Sequence, residues 1–206
     1  MLQIRSVRKP FDSPRLAREA IATVAHADAM GLLPDDQRIE ELDLPLLQQV
    51  VERLRRARIG RAITLTVGSG PGGQADHLER ALGQLNAALE ESPVPEFEWK
   101  RLAEVLGPEL LARLLGISAS SIRRYRSAAR TTPDDVAARL HFIALVVGDL
   151  GGAYNDLGIR QWFERKRAQL GGRAPAELMT GEWSVAAPGP ARVRALAQAL
   201  TASPAT

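Results

Sequence analysis

The chain has 206 residues, a length that can bury a hydrophobic core and that suits either two small domains or one larger one. It contains no cysteine, which excludes disulfides and thiolate metal sites and fits a reducing compartment. The formal net charge is only +3, but residues 1–95 carry 12 basic and 13 acidic groups whereas residues 96–206 carry 15 and 11, so the basic excess belongs to the second half.

Membrane insertion and secretion are not predicted. The longest apolar run, around residues 142–148, is far too short to span a bilayer. The first ten residues, MLQIRSVRKP, carry charge but no apolar core of the kind that a signal peptide needs. We therefore expect a cytoplasmic protein.

The first half is predicted to be mostly helical. Ser13 and Pro14 are typical of a helix start, and three helices are expected in the ranges 14–30, 45–60 and 75–89. The segment 63–67, ITLTV, has the composition of a strand, and we expect it to pair with residues 3–7. Pro93 and Pro95 then interrupt any helix, which places a domain boundary near residue 92.

A long apolar helix is predicted after Thr132, with Thr132 as its cap and Pro133 in its first turn. It carries two apolar faces, one with Val136, Leu140, Ile143, Val147 and Leu150, and the other with Phe142, Leu145 and Val146. Two neighbours must cover these faces, and one of them could be another subunit.

The segment 112–126, ARLLGISASSIRRYR, has the spacing of a helix-turn-helix. Ala112 gives the small residue of the first helix, Gly116 the turn residue at positive φ, and Ile122 the apolar anchor of the second helix. Ser118 is placed to cap the second helix. We expect Ile122, Tyr125 and Ala129 to face inward at 100° per residue.

The opposite side of this second helix is basic and contains no acid. Arginine forms hydrogen bonds to guanine edges, and serine forms hydrogen bonds to bases or phosphate. This side is therefore predicted to bind DNA. Alternatively, the arginines only solvate an exposed helix, as most charge runs do. The predicted DNA-binding residues are Ser118, Ser120, Arg123, Arg124, Arg126, Ser127 and Arg130.

Further along the chain, Trp162-Phe163 is followed by LGGRAPAEL at 170–178. With the helix-turn-helix, this pattern resembles the Xre/MbcA/ParS antitoxins of bacterial RES–Xre toxin–antitoxin pairs, from about residue 97 onward. The chain departs from that family at Lys166-Arg167, where Pro-Asn is usual, and in the added stretch 183–190. Residues 1–90 have no counterpart in it.

The resemblance implies a homodimer that binds operator DNA and a RES-type toxin, a class of protein that degrades NAD. It also implies a DNA-binding unit in residues 93–155 and a toxin-binding module in residues 156–206. The boundary near residue 92 leaves an N-terminal unit, residues 1–92, for which the resemblance implies no role. The alternative is that its two tryptophans only fill the core of the module. The implied toxin contacts are Trp162, Arg165, Leu170, Gly171, Gly172, Arg173, Pro175 and Trp183.

An enzyme is the weaker hypothesis. Gly68, Gly70 and Gly73 satisfy the GxGxxG spacing of a dinucleotide site, but Pro71 removes an amide donor and no strand ending in an acid follows. The three histidines show no metal-ligand spacing, and His141 is expected to be a satisfied core residue. We therefore predict no catalytic residue, metal or cofactor.

The sequence thus predicts a mainly α protein: a helical bundle with a helix-turn-helix, a small C-terminal helical module and an α-rich N-terminal unit with one or two short strands. Its predicted function is that of an antitoxin that neutralises a RES-type toxin and represses its own operon. The alternative is a stand-alone transcriptional regulator without a toxin partner.

Overall fold

The structure, a computed structural model, describes residues 2–34, 39–65 and 74–202. Within these ranges the chain is mainly helical, as predicted, and forms nine α-helices and two short strands. The strands are β1 (Leu2–Val7) and β2 (Ile39–Leu42). The helices are α1 (Pro14–Ala29), α2 (Leu44–Arg56), α3 (Gln74–Glu90), α4 (Pro95–Leu106), α5 (Pro108–Leu115), α6 (Ala119–Arg126), α7 (Asp134–Gly151), α8 (Asp156–Glu164) and α9 (Pro188–Ala202).

The strand pairing differs from the prediction. β1 pairs in parallel with β2, across the connection that contains α1, and Val7 lies beside Leu42 in the register. The described part of the predicted strand, residues 63–65, is not in a strand, because Ile63 closes a turn onto Gly60 and its carbonyl oxygen accepts a hydrogen bond from Arg55. The prediction missed β2 because its two central residues are glutamates, which are uncommon in strands.

The central helix is α7, whose two apolar faces are both buried. Its neighbours come from within this chain, mainly α1 and α9, with α4 and α8 beside them. The α1 contact is close: a Cβ at Gly148 would lie 2.4 Å from the His26 ring. One continuous hydrophobic core therefore joins the predicted units on both sides of residues 92 and 155.

The start of α7 lies one residue later than predicted. Pro133 occupies the cap position, where it makes no side-chain hydrogen bond to the helix. The Thr132 hydroxyl, expected to cap α7, instead accepts a hydrogen bond from Trp99 Nε1 at 2.9 Å. A buried indole N–H needs an acceptor, and the Thr132 hydroxyl provides it.

In the described residues, no single helix is long and apolar enough to cross a membrane. The pair α7 and α8 passes that test only when taken together, by length and composition alone, and its two helices are bent by 116°.

Candidate nucleic-acid interface

The α5–α6 connection has the geometry that its sequence predicts. Gly116 ends α5 with φ +67°, in the left-handed region that favours glycine. The N–H groups of Gly116 and Ile117 donate hydrogen bonds to carbonyl oxygens in the last turn of α5, which supplies partners that these carbonyls lack within the helix. Ser118 Oγ then caps α6 by accepting a hydrogen bond from Ser121 N at 3.1 Å. The predicted roles of Gly116 and Ser118 in the turn are confirmed.

The inner side of α6 is fixed by two buried side chains. Ile122 is 1% exposed and Tyr125 8% exposed, and the Tyr125 ring stacks on Trp99 of α4 with centroids 5.4 Å apart. The third predicted inward residue, Ala129, is exposed, and that part of the prediction is wrong. The reason is that α6 ends at Arg126, and Ala128 takes a left-handed φ of +54° that turns the chain away.

The outer side of α6 carries an exposed set of cations, which we call the basic face: Arg123, Arg124 and Arg126. In the described part of the chain, none of these three arginines forms an ion pair. Four other arginines of the second half do form ion pairs: Arg101 with Asp28, Arg113 with Glu164, Arg139 with Asp135 and Arg194 with Glu90. The basic face thus offers charges that the chain itself does not neutralise.

The remaining predicted DNA-binding residues lie around the basic face. Ser120 is exposed on the first turn of α6, and its hydroxyl lies 2.8 Å from that of Ser118. Ser127 and Arg130 are exposed but follow the end of the helix, not its outer face as predicted. The Arg130 guanidinium lies 5.8 Å from the Tyr125 ring centroid, in a cation–π contact that holds it close to α6.

Sequence reasoning missed the side chain that supports this site. Trp99 is 2% exposed and joins α4, Tyr125 of α6 and Thr132. Its spacing to Leu102 and Leu106 marks the buried face of α4, so its burial could have been predicted. Its contact with Tyr125 lies 26 positions ahead in the chain and has no local signal.

The predicted toxin contacts divide into buried and exposed residues. Trp162 is 1% exposed, packs edge-on against Phe163 and lies under the Arg167 guanidinium, and Leu170 and Pro175 are also buried. Trp162 and Leu170 belong to the chain's own hydrophobic core, which for Trp162 is what the alternative interpretation holds. Trp183 is half-buried and donates a hydrogen bond to the Leu114 carbonyl.

The exposed predicted contacts form one tight loop, which we call the Gly-Gly loop, residues 165–173. Gly171 and Gly172 have φ of +68° and +76°, and Gly172 N bonds to the Arg167 carbonyl at 2.9 Å. Arg165 and Arg173 flank this turn and are exposed. The loop therefore presents a second cationic surface on a turn that is closed by backbone hydrogen bonds.

The GxGxxG segment at 68–73 lies outside the described residues. His141 is buried with Nδ1 2.6 Å from Glu98 Oε1 and Nε2 3.0 Å from the Glu90 carbonyl oxygen, so it is the satisfied core residue that was predicted. Across residues 2–34, 39–65 and 74–202 there is no cluster of three or more ligand side chains able to hold a metal ion.

The basic face is the described surface whose geometry and chemistry agree best with a binding role. Its inner side is held by Ile122 and the Trp99–Tyr125 stack, and its outer side is cationic and open. Neither a family model, nor a curated protein, nor a solved structure matches the chain.

Proposed function

We propose that the chain is a DNA-binding antitoxin: α5 and α6 act as a helix-turn-helix on operator DNA, and the C-terminal part holds a RES-type toxin. One observation carries the DNA-binding part: three exposed arginines without ion-pair partners lie on the outer side of a helix whose inner side is pinned. Unpaired cations on a rigid support can release counterions from phosphates without first breaking a salt bridge. As in the family that the sequence resembles, we propose a homodimer that binds two half-sites.

Side-chain chemistry favours a nucleic acid over an acidic protein as the partner of the basic face. Guanidinium groups bond both phosphate oxygens and guanine edges, and the neighbouring hydroxyls of Ser118 and Ser120 add short polar contacts. An interface with a protein is usually richer in aromatic and apolar residues. None of the exposed large apolar side chains lies on α6.

A repression assay tests the DNA-binding part. A reporter gene is placed behind the DNA upstream of the chain's own reading frame, and Arg123→Ala/Arg124→Ala is compared with Arg18→Ala/Arg61→Ala. Arg18 and Arg61 are also exposed, so the control makes the same change in net charge away from α6. We expect repression to be lost only with the first pair, and equal repression by both variants would contradict the proposal.

For the toxin part, we propose that the Gly-Gly loop is the contact surface, because it holds the exposed members of the implied toxin site. Deletion of the C-terminal residues is a poor test, since Trp162 and Phe163 belong to the core. Charge reversal at Arg165 and Arg173 changes only exposed side chains.

The test is co-expression with a RES-type toxin encoded beside this reading frame. Arg165→Glu/Arg173→Glu should lose the co-purified complex and cell survival, whereas Arg18→Glu/Arg61→Glu should keep both. If the wild type forms no complex but still represses, the chain is a stand-alone regulator, which is the second candidate function. If the wild type does not repress the reporter, the DNA-binding antitoxin and the stand-alone regulator are both overturned.

A further inference from the structure

Resting on the proposed DNA-binding function, we infer that Trp183 is a positioning residue for α6. Trp183 lies in a segment near the C-terminal end, which we call the 180–184 strap. The strap lies against the α5–α6 turn and contacts both the last turn of α5 and Gly116. It is therefore a third part of the DNA-binding element, although 69 positions separate Trp183 from Leu114.

The first contact is a hydrogen bond to a helix end. The last four carbonyls of an α-helix lack partners within the helix and need donors from elsewhere. The Ala112 and Arg113 carbonyls accept from Gly116 and Ile117 in the turn itself. The Leu114 carbonyl accepts from Trp183 Nε1 at 2.7 Å. The indole thus fixes the direction in which α5 ends and the chain turns into α6.

The second contact is between two backbones. A Cβ added at Gly116 would lie 2.3 Å from the Gly181 carbonyl oxygen, so the turn and the strap approach as closely as a glycine permits. The same carbonyl oxygen accepts a hydrogen bond from Arg139 Nη1 at 3.4 Å. Arg139 is itself held by Asp135 in the first turns of α7.

The third contact anchors the strap to the core. The Trp183 ring packs edge-on against Phe142 of α7, with centroids 5.4 Å apart and planes at 70°. The indole therefore joins a central buried helix to the end of α5 through its ring on one side and its N–H on the other. Without this N–H, the Leu114 carbonyl loses its donor, and the angle between α5 and α6 is no longer held by this hydrogen bond.

Trp183→Phe tests this role, because phenylalanine keeps an aromatic ring on the side of Phe142 but removes the N–H donor together with one ring of the indole. The probe is a labelled duplex with the DNA upstream of the chain's own reading frame, titrated well below the melting temperature of every variant. We expect affinity to fall about three- to tenfold, the change that one lost hydrogen bond produces. A merely structural residue would lower the melting temperature and leave the affinity of the folded protein unchanged.

Val50→Ala is the matched control, because Val50 is 1% exposed on α2, which packs on α1 rather than on α5 or α6. It should lower the melting temperature without changing DNA affinity. If Trp183→Phe binds the duplex as tightly as Val50→Ala does, the positioning role is overturned.

Hydrogen exchange separates this inference from the proposed function. In Trp183→Phe without DNA, the amides of Gly116 and Ile117 and those of α6 should exchange faster, while those of α1 keep their wild-type rates. If the wild type does not bind the duplex but this local change is seen, the DNA-binding proposal fails and the positioning of α6 stands. If the exchange rates in Trp183→Phe change equally in α6 and in α1, or do not change at all, the positioning role is overturned.

Discussion

The indole ring of Trp99 and the phenol ring of Tyr125 stack with centroids 5.4 Å apart and planes 20° apart. This contact joins α4 to α6, and the Trp99 N–H extends it to Thr132, just before α7 begins. Offset stacking of this kind adds to the free energy of burying both rings. It explains why a helix of eight residues, too short to be stable alone, keeps one orientation.

Removing the Trp99 ring should destabilise the whole chain. Trp99 is 2% exposed, so Trp99→Ala leaves a cavity and an unpartnered Thr132 hydroxyl, and we expect a loss of about 3–5 kcal/mol in the free energy of unfolding. The measurement is denaturant unfolding followed by circular dichroism. Phe97→Ala is the control, since Phe97 lies on the same helix but is 41% exposed, and it should change stability by less than about 0.5 kcal/mol. Equal losses in both variants would contradict the assigned role.

Gly116 and Gly171 allow a matched comparison of backbone strain with close contact. Both have a φ near +68°, but an added Cβ meets Gly181 only at Gly116 and nothing within 4 Å at Gly171. Gly171→Ala should therefore cost about 1 kcal/mol from φ alone, and Gly116→Ala should cost about 1–3 kcal/mol more. Thermal melting of the two variants gives the difference. Similar melting temperatures would show that the strap does not press on the turn.

The buried Glu98–His141 pair makes stability depend on pH. Burial raises the pKa of the Glu98 carboxyl, and the hydrogen bond from His141 opposes this shift only in part. Because the folded pKa lies above the unfolded one, about 4.3, the folded chain holds a proton that the unfolded chain has released. This contribution is present below the unfolded pKa and is lost as pH rises through the folded value.

Glu98→Gln tests this pH dependence, since glutamine keeps a polar group beside His141 and cannot ionise. Relative to wild type, its free energy of unfolding should rise with pH above about 4.3, by at most about 1.4 kcal/mol per pH unit. Urea unfolding of both proteins at several pH values measures the difference. Glu96→Gln, at an exposed position of the same helix, should leave most of the wild-type dependence in place. A pH-independent gap between Glu98→Gln and wild type would contradict the raised pKa.

Local signals predicted the helices and the turn, and contacts distant in sequence account for the errors. Gly116 and Ser118 were found because turn chemistry is read from neighbouring residues. The end of α6 was placed too late because nothing in the sequence between Arg126 and Arg130 breaks a helix, and the left-handed φ of Ala128 has no local sequence signal. Likewise, Trp162 gave the same aromatic signal whether it filled the core or bound a partner, and only the fold shows it buried.

The salt dependence of DNA binding tests the central claim most directly. Binding of the upstream duplex is measured by fluorescence anisotropy over a range of salt concentrations for the wild type and for Arg123→Ala/Arg124→Ala. For the wild type, we expect the logarithm of the binding constant to fall linearly with the logarithm of the salt concentration. For the variant, the slope should be shallower by about one unit for each phosphate contact that it loses. An unchanged slope and affinity in the variant would contradict the assignment of the basic face to nucleic acid.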